Sequence, residues 1–382
     1  MKITRRTILM LILLCSSAVT ITAQDNRFVK WNSDGTSETI NVPYEKDQTG
    51  DVITNIINVG DAAAVDLSTI ADIMKTTTIG EWIVRTLTYT FVASTNPNCL
   101  YFVDDDTDIS GEMAKSLEGL NVVKGTRASD IVLVDGFPFF TPRDFTADHI
   151  SYERYFGKGN KRGVGGGWQS VVLPFGVQKV SVDGNEKKWF SNANDDADFW
   201  VFKFVGNDGN TAKFGYNSEG KMVAATPYIV AVPDGSWAGS NCSLEGKTLA
   251  FSAENAAVSK ESAGVVESGS LRFVGSFSGA NGLTNAYVLN DEGTFFAANT
   301  TVNPFNAYVQ KNNNSSVGAR VNIGFTDDVV TDIKGVNMKA GSNAAYDAYD
   351  LQGRRIESLK ANALGSLSKG VYIINGKKVV IK

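Results

Sequence analysis

Gly167-Trp168-Gln169-Ser170-Val171-Val172-Leu173-Pro174-Phe175 is the stretch whose reading decides the fold. A glycine-rich run ends at Gly167, a strand is expected from Trp168, and Pro174 stops it. The β-branched pair Val171-Val172 suits a pleated sheet. Alternation sends Trp168, Ser170 and Val172 to one side and Gln169, Val171 and Leu173 to the other. Both sides carry bulk, so the expectation is a central strand of a sandwich and not an edge.

Downstream, short apolar runs alternate with Gly, Asn and Asp turns, the pattern of a β-sandwich. Phe199 to Val205 and Thr211 to Tyr216 flank Asn207-Asp208-Gly209, read as a hairpin turn. Tyr228 to Val232, Leu271 to Phe277, Ala286 to Leu289, Asn306 to Gln310 and Ala319 to Ile323 continue the series. Near the C-terminus, Tyr346 to Ile356 reads strand, turn, strand. Gly370 to Lys382 reads as a hairpin around Asn375-Gly376.

Upstream, Lys158 to Gly167 reads as a flexible linker at a domain seam or hairpin tip. Asp61 is placed to cap a helix with Ala64, Leu67, Ile70, Ile73 and Met74 on one face; short solenoid-like strands fit the same residues. Glu81 to Val92 alternates as a strand. The fold class is therefore all-β. The expected layout is a signal peptide at 1–23, a β-rich domain at 24–158, a β-sandwich at 159–325, a linker at 326–335 and a small β-sandwich at 336–382.

The first 23 residues read as a secretory signal peptide: Lys2, Arg5 and Arg6, an apolar core from Ile8 to Leu14, and a cleavage site at Ile21-Thr22-Ala23. The apolar run is short for a membrane span, so no transmembrane helix is expected after signal removal. Export leaves Cys99 and Cys242, either one disulfide or two separate thiols, the latter preferred. Lys+Arg total 36 against 41 Asp+Glu, a net charge of -5, which argues against a nucleic-acid partner.

Catalytic signatures are sparse. His149 is the single histidine, and the reading favours a plain strand-edge residue over a triad member. Gly275-Ser276-Phe277-Ser278-Gly279 has Phe where a nucleophile elbow has Ser. Asp104, Asp106 and Asp108 have the front half of a calcium loop, but Leu117 stands where the closing acid belongs. A solvated loop is the preferred reading, with no cofactor expected and calcium as the alternative. Trp189 and Trp237 lie in polar or glycine-rich surroundings and are the candidate binding aromatics.

The blocks Tyr349-Asp350-Leu351-Gln352-Gly353-Arg354-Arg355, Lys369-Gly370-Val371-Tyr372 and Gly376-Lys377-Lys378-Val379-Val380-Ile381-Lys382 resemble the C-terminal sorting domain of type IX secretion cargo in Bacteroidetes bacteria. The Pro-Asn-Pro opening usual there is absent. The resemblance implies a small sandwich that engages a type IX-like secretion machinery and carries the protein to the outer-membrane surface or the medium. Tyr349, Asp350, Leu351, Gly353, Arg354, Gly370, Tyr372, Gly376, Lys377, Lys378 and Lys382 are the residues that carry it. Asn96-Pro97-Asn98, Asp135-Gly136-Phe137-Pro138-Phe139, Ile150-Ser151-Tyr152 and the Trp168 stretch are similar to uncharacterised modules of secreted Bacteroidales proteins. The resulting expectation is an exported, non-enzymatic binding or structural protein contacting a glycan or a host protein. The alternative is a secreted hydrolase dependent on carboxylates or calcium.

Overall fold

The computed structural model describes residues 27–42, 44–46, 52–70, 88–161, 165–192, 196–236, 243–311, 320–326, 345–350, 355–360, 370–374 and 377–381. The fold is all-β, with one short α-helix among the described residues. Two compact units divide the chain: Met1–Val132 with Phe137–Asp148, and Leu133–Gly136 with His149–Lys382. Residues 1–23, read above as a signal peptide, lie outside the described residues. Among the described residues no helix is long and apolar enough to cross a membrane.

Unit one opens with the strands β1 (Arg27–Trp31), β2 (Ser37–Asn41), β3 (Tyr44–Lys46), β4 (Val52–Asn58), β5 (Ala64–Asp66), β6 (Thr88–Val92) and β7 (Leu100–Val103). Helix α1 (Gly111–Leu117) and strand β8 (Asn121–Lys124) follow. Strand β4 pairs with β6 in parallel, and β5, β7 and β8 stack in parallel with Ala64 opposite Leu100 and Leu100 opposite Asn121. The chain thus turns the same corner twice, from β4 to β5 and from β6 to β7. The corners are joined by backbone bonds, Thr95 N–H to the Gly60 carbonyl at 2.8 Å and Leu100 N–H to the Ala63 carbonyl at 3.1 Å. Phe28, Ile57, Val65, Cys99, Tyr101 and Met113 pack in the core between.

The helix expected from Asp61 does not form over its described part. Ala64–Asp66 is a strand and Ser68–Ile70 one 3-10 turn, while residues 71–87 lie outside the described residues. Ala62, Ala63, Ala64 and Val65 are buried consecutively, a demand that a two-sided strand meets and a one-faced helix does not. The solenoid-like alternative fits this region. The strand read over Glu81 to Val92 appears as Thr88–Val92, its earlier part lying outside the described residues.

Strands β9 (Arg127–Val134) and β10 (Phe145–Phe156) each run from unit one into unit two. Unit two continues with β11 (Gln169–Val171), β12 (Lys179–Val182), β13 (Asn185–Lys187), β14 (Trp189–Phe190), β15 (Phe199–Asp208), β16 (Thr211–Tyr216) and β17 (Tyr228–Ala231). Then come β18 (Lys247–Val258), β19 (Val265–Ser268), β20 (Leu271–Ser276), β21 (Ala286–Leu289), β22 (Phe295–Ala298), β23 (Asn306–Lys311) and β24 (Arg320–Phe325). Its large sheet runs β11-β17-β15-β16-β24-β22-β21-β23-β20-β19, with β14 alongside β15. Trp168, Trp200, Phe202, Phe214, Phe273 and Phe296 fill one aromatic core against it.

Strand β11 is at the end of that order, which corrects the expectation of a central strand. The inference from burial held in part: Trp168, Ser170, Val171, Val172 and Leu173 are all buried. What covers the free edge is the curl of the sheet, which brings β23 alongside. Val172 N–H donates to the Phe305 carbonyl at 3.0 Å, and Ala307 N–H donates to Ser170 Oγ at 3.0 Å.

The glycine run before Trp168, expected as a flexible linker, is closely packed in its described residues. A Cβ on Gly167 (φ +83°) would lie 2.7 Å from the Gly159 carbonyl oxygen, and one on Gly293 (φ +60°) 2.2 Å from the Trp168 nitrogen. These glycines are present because backbone approaches backbone where no side chain fits. The hairpin turn read at Asn207-Asp208-Gly209 falls one residue later, since Asp208 still pairs with Thr211.

In the same aromatic core the Tyr287 hydroxyl is buried without a hydrogen-bond partner among the described residues. Tyr287→Phe is therefore expected to be neutral or to stabilise by up to about 1 kcal/mol, because an unpaired buried hydroxyl costs more than its absence. A denaturant midpoint that falls by the equivalent of more than about 1 kcal/mol would show the hydroxyl to be engaged.

The C-terminal strands β25 (Ala345–Asp350), β26 (Arg355–Lys360), β27 (Gly370–Ile374) and β28 (Lys377–Ile381) form a four-stranded sheet of order β26-β25-β27-β28. Ile374 pairs with Lys377 in the antiparallel β27–β28 hairpin, and Asn375-Gly376, read as its turn, lie outside the described residues.

Candidate functional site

The stretch Asp135-Gly136-Phe137-Pro138 follows β9 and gathers polar side chains on both of its halves. The first half belongs to unit two. Strand β10 alternates strictly there, so Ile150, Tyr152, Arg154 and Phe156 all point inward. Arg154 is thereby carried inside, its side chain 2% exposed, and Asp135, 40% exposed, meets it with Nη2 to Oδ1 at 2.8 Å and Nε to Oδ2 at 3.2 Å. The two-point contact is the strong geometry for arginine and carboxylate. Tyr152 donates its hydroxyl to Asp135 Oδ1 at 2.7 Å, and burial holds that phenol neutral, well above its ordinary range.

The other face of the guanidinium turns to the seam between β11 and β23. Nη1 donates to the Ser170 carbonyl at 2.5 Å and to Asn306 Oδ1 at 3.3 Å, and Nη2 to the Phe305 carbonyl at 3.4 Å. Phe305 sits at φ +56°, a costly conformation for an aromatic residue, and its carbonyl also receives Val172 N–H. This network is an internal clamp on the sheet edge.

The second half belongs to unit one. Asn98 Nδ2 donates to the Phe137 carbonyl at 2.9 Å and Asn96 Nδ2 to the Pro138 carbonyl at 3.0 Å. Both asparagines are buried, at 0% and 5% exposure, whereas Phe137 is 42% exposed. Phe137 and Pro138 line a cleft of about 290 Å³. Asp61 from the first corner, Thr95 and Asn96 from the second, and Asn32 and Ser33 of the β1–β2 turn complete its lining. Asn32 is held there by its Nδ2 bond to Thr36 Oγ1 at 3.0 Å.

The residues singled out in the sequence do not meet at this cleft. Trp189 is half-buried, its Nε1 donates to the Asn217 carbonyl at 3.3 Å, and its ring stands edge-on to Phe199. Trp237 lies outside the described residues, as does Cys242. Asp104, Asp106 and Asp108 are exposed, and Asp108 accepts a bond from Ser110 Oγ at 2.9 Å. Among the described residues no group of three or more His, Cys, Asp or Glu side chains gathers to hold a metal. His149 is half-buried on β10. Cys99 is a free thiol buried in the core of unit one, and burial pushes it up to about 12, so it stays protonated and non-nucleophilic at neutral pH.

Of the sorting-type residues, Tyr349 and Asp350 in β25 pair with Ile373 and Tyr372 in β27, and Gly370, Lys377 and Lys378 belong to the β27–β28 hairpin. Leu351, Gly353, Arg354, Gly376 and Lys382 lie outside the described residues.

Sequence reasoning missed Arg154 and the amide roles of Asn96 and Asn98, and it gave Asp61 only the role of a helix cap. Arg154 carried a readable signal, an arginine in phase with Ile150, Tyr152 and Phe156. No protein-family model, no curated protein and no solved structure matches the chain.

Proposed function

We propose that the protein is exported and works outside the cell as a non-enzymatic binding protein, with its C-terminal segment serving as a sorting domain for a type IX-like secretion machinery. The binding half of this reading is carried by one observation, the cleft of unit one, where an exposed aromatic ring stands beside amide, hydroxyl and carboxylate groups. Clefts of that composition hold ligands by stacking and hydrogen bonding. Its lining includes one carboxylate, Asp61, whereas glycoside hydrolysis ordinarily uses two. Neither His149 nor Cys99 belongs to it. The export half is supported by the signal-type N-terminus and by the three C-terminal sequence blocks that resemble a sorting domain. The ligand is an extracellular glycan or protein.

Mass-spectrometric mapping of both termini in separated cell fractions tests export and sorting together. The expected species starts at Gln24, ends near residue 330, and lies at the surface or in the medium. A chain still ending at Lys382 in the periplasm would remove the sorting role.

A further inference from the structure

The lining of the unit-one cleft selects among ligand classes. None of its side chains is cationic, so phosphate, sulfate and carboxylate ligands find no counter-charge there. Its apolar surface is confined to Phe137 and Pro138, too little for the apolar stripe of a helical peptide. The Asp61 carboxylate takes no partner among the described residues, which leaves both its oxygens ready to accept. Its volume, about 290 Å³, is at the lower limit for ligand pockets and suits the end of a chain-like ligand.

Phe137 is presented from a fixed backbone. Its own carbonyl and that of Pro138 are tied to Asn98 and Asn96, side chains with almost no solvent contact, and the proline ring limits φ at the next position. An aromatic side chain on such a loop has little further freedom to lose on binding a ligand, because the backbone that carries it is already tied down. A ring of this kind offers a flat apolar face, and the amide, hydroxyl and carboxylate groups that line the cleft with it offer hydrogen bonds. The ligand that presents both an apolar C–H face and a rim of neutral hydroxyls is a sugar ring.

We infer that this cleft binds a neutral saccharide, with Phe137 as the stacking platform and Asp61 and Ser33 bonding to ring hydroxyls. The inference rests on the binding-protein reading and adds to it a site and a ligand class.

The test is calorimetric titration of the purified chain from Gln24 to Lys382 with neutral hexaoses of glucose, xylose, mannose and N-acetylglucosamine, and with a sulfated hexaose. At least one neutral hexaose is expected to bind saturably. Phe137→Ala and Asp61→Asn should each weaken it about tenfold, the equivalent of one stacking contact or one charged hydrogen bond. Phe137→Tyr, which keeps a ring, should hold affinity within about threefold. Phe137 and Asp61 are both exposed, so these variants are expected to fold, and circular dichroism checks that they do. Failure of every neutral hexaose to bind, or stronger binding of the sulfated one, would overturn the saccharide assignment and leave a protein ligand as the binding reading. Neutral binding unchanged in both variants would overturn the site while leaving that reading intact.

Discussion

Arg154→Leu is expected to destabilise unit two by about 3–5 kcal/mol, the usual cost of breaking a buried charged pair. The guanidinium has almost no solvent contact and serves five acceptor contacts: two on Asp135, the carbonyls of Ser170 and Phe305, and Asn306 Oδ1. A designed apolar replacement of a whole ion pair can be neutral, but two of these acceptors are main-chain carbonyls that no substitution removes. Leucine would take this donor from the Ser170 carbonyl on the buried side of the β11–β23 seam, at about 1–3 kcal/mol, while the Phe305 carbonyl keeps Val172 N–H. Arg154→Lys should recover little, since an ammonium cannot reach the carboxylate and the carbonyls at once. Asp135→Asn should cost less, because Asp135 is 40% exposed and the amide still accepts. Trp168 and Trp200 sit in the core of unit two, so their fluorescence follows its unfolding in denaturant. A loss below about 1 kcal/mol for Arg154→Leu would mean the seam does not depend on this side chain.

How much of this was legible depends on whether a feature is local. The pairing of Gly370–Ile374 with Lys377–Ile381 was legible because the signal for it is local. The all-β class followed from strand-length apolar runs separated by turn residues. Strand β11 was read as central because both its faces are apolar, but burial on two faces does not distinguish a laddered neighbour from a sheet that curls back. The closure depends on Phe305, more than a hundred residues downstream, and on Arg154 from another strand. The segment from Ala62 to Ile70 defeated periodicity for a related reason. Its apolar spacing suits a helix, while the parallel neighbours Leu100 to Phe102, which make it a strand, are remote in sequence.

The site was less legible than the fold. Tryptophans drew attention by size, and Trp189 then proved to be engaged with Asn217 and Phe199. The cleft is built instead from small polar residues at corners, which look like ordinary turn residues in the sequence. Asn96 and Asn98 were quoted in a motif without a role, because an amide that props a carbonyl of a distant loop has no local signature. Stacking of two corners places Asp61 near Thr95, and that depends on the parallel register of β4 with β6.

Unit one is expected to lose about 3–4 kcal/mol of stability as pH rises from 9 to 12. The cause is the Cys99 thiol, buried among Phe28, Val65 and Met113, whose value is pushed from an ordinary 9.0 up to about 12 by removal from water. Hydrogen bonds with Tyr101 and Ser94 pull the other way without cancelling it. In the unfolded chain the thiol gives up its proton near the ordinary value; in the folded chain it keeps it. Above that value the unfolded state binds fewer protons, so stability falls with pH. The contribution is whole below about pH 9 and is lost progressively towards pH 12. Tyr101 adds in the same direction, since burial and the neighbouring thiol both raise its phenol. Cys99→Ala isolates the effect. It should cost about 1 kcal/mol at pH 7 through lost packing, and it should flatten the alkaline fall measured by denaturant midpoints from pH 8 to 12. Equal slopes for the two proteins would show that the fall comes from other groups, and a slope removed only in Cys99→Ala with Tyr101→Phe would assign it to the pair.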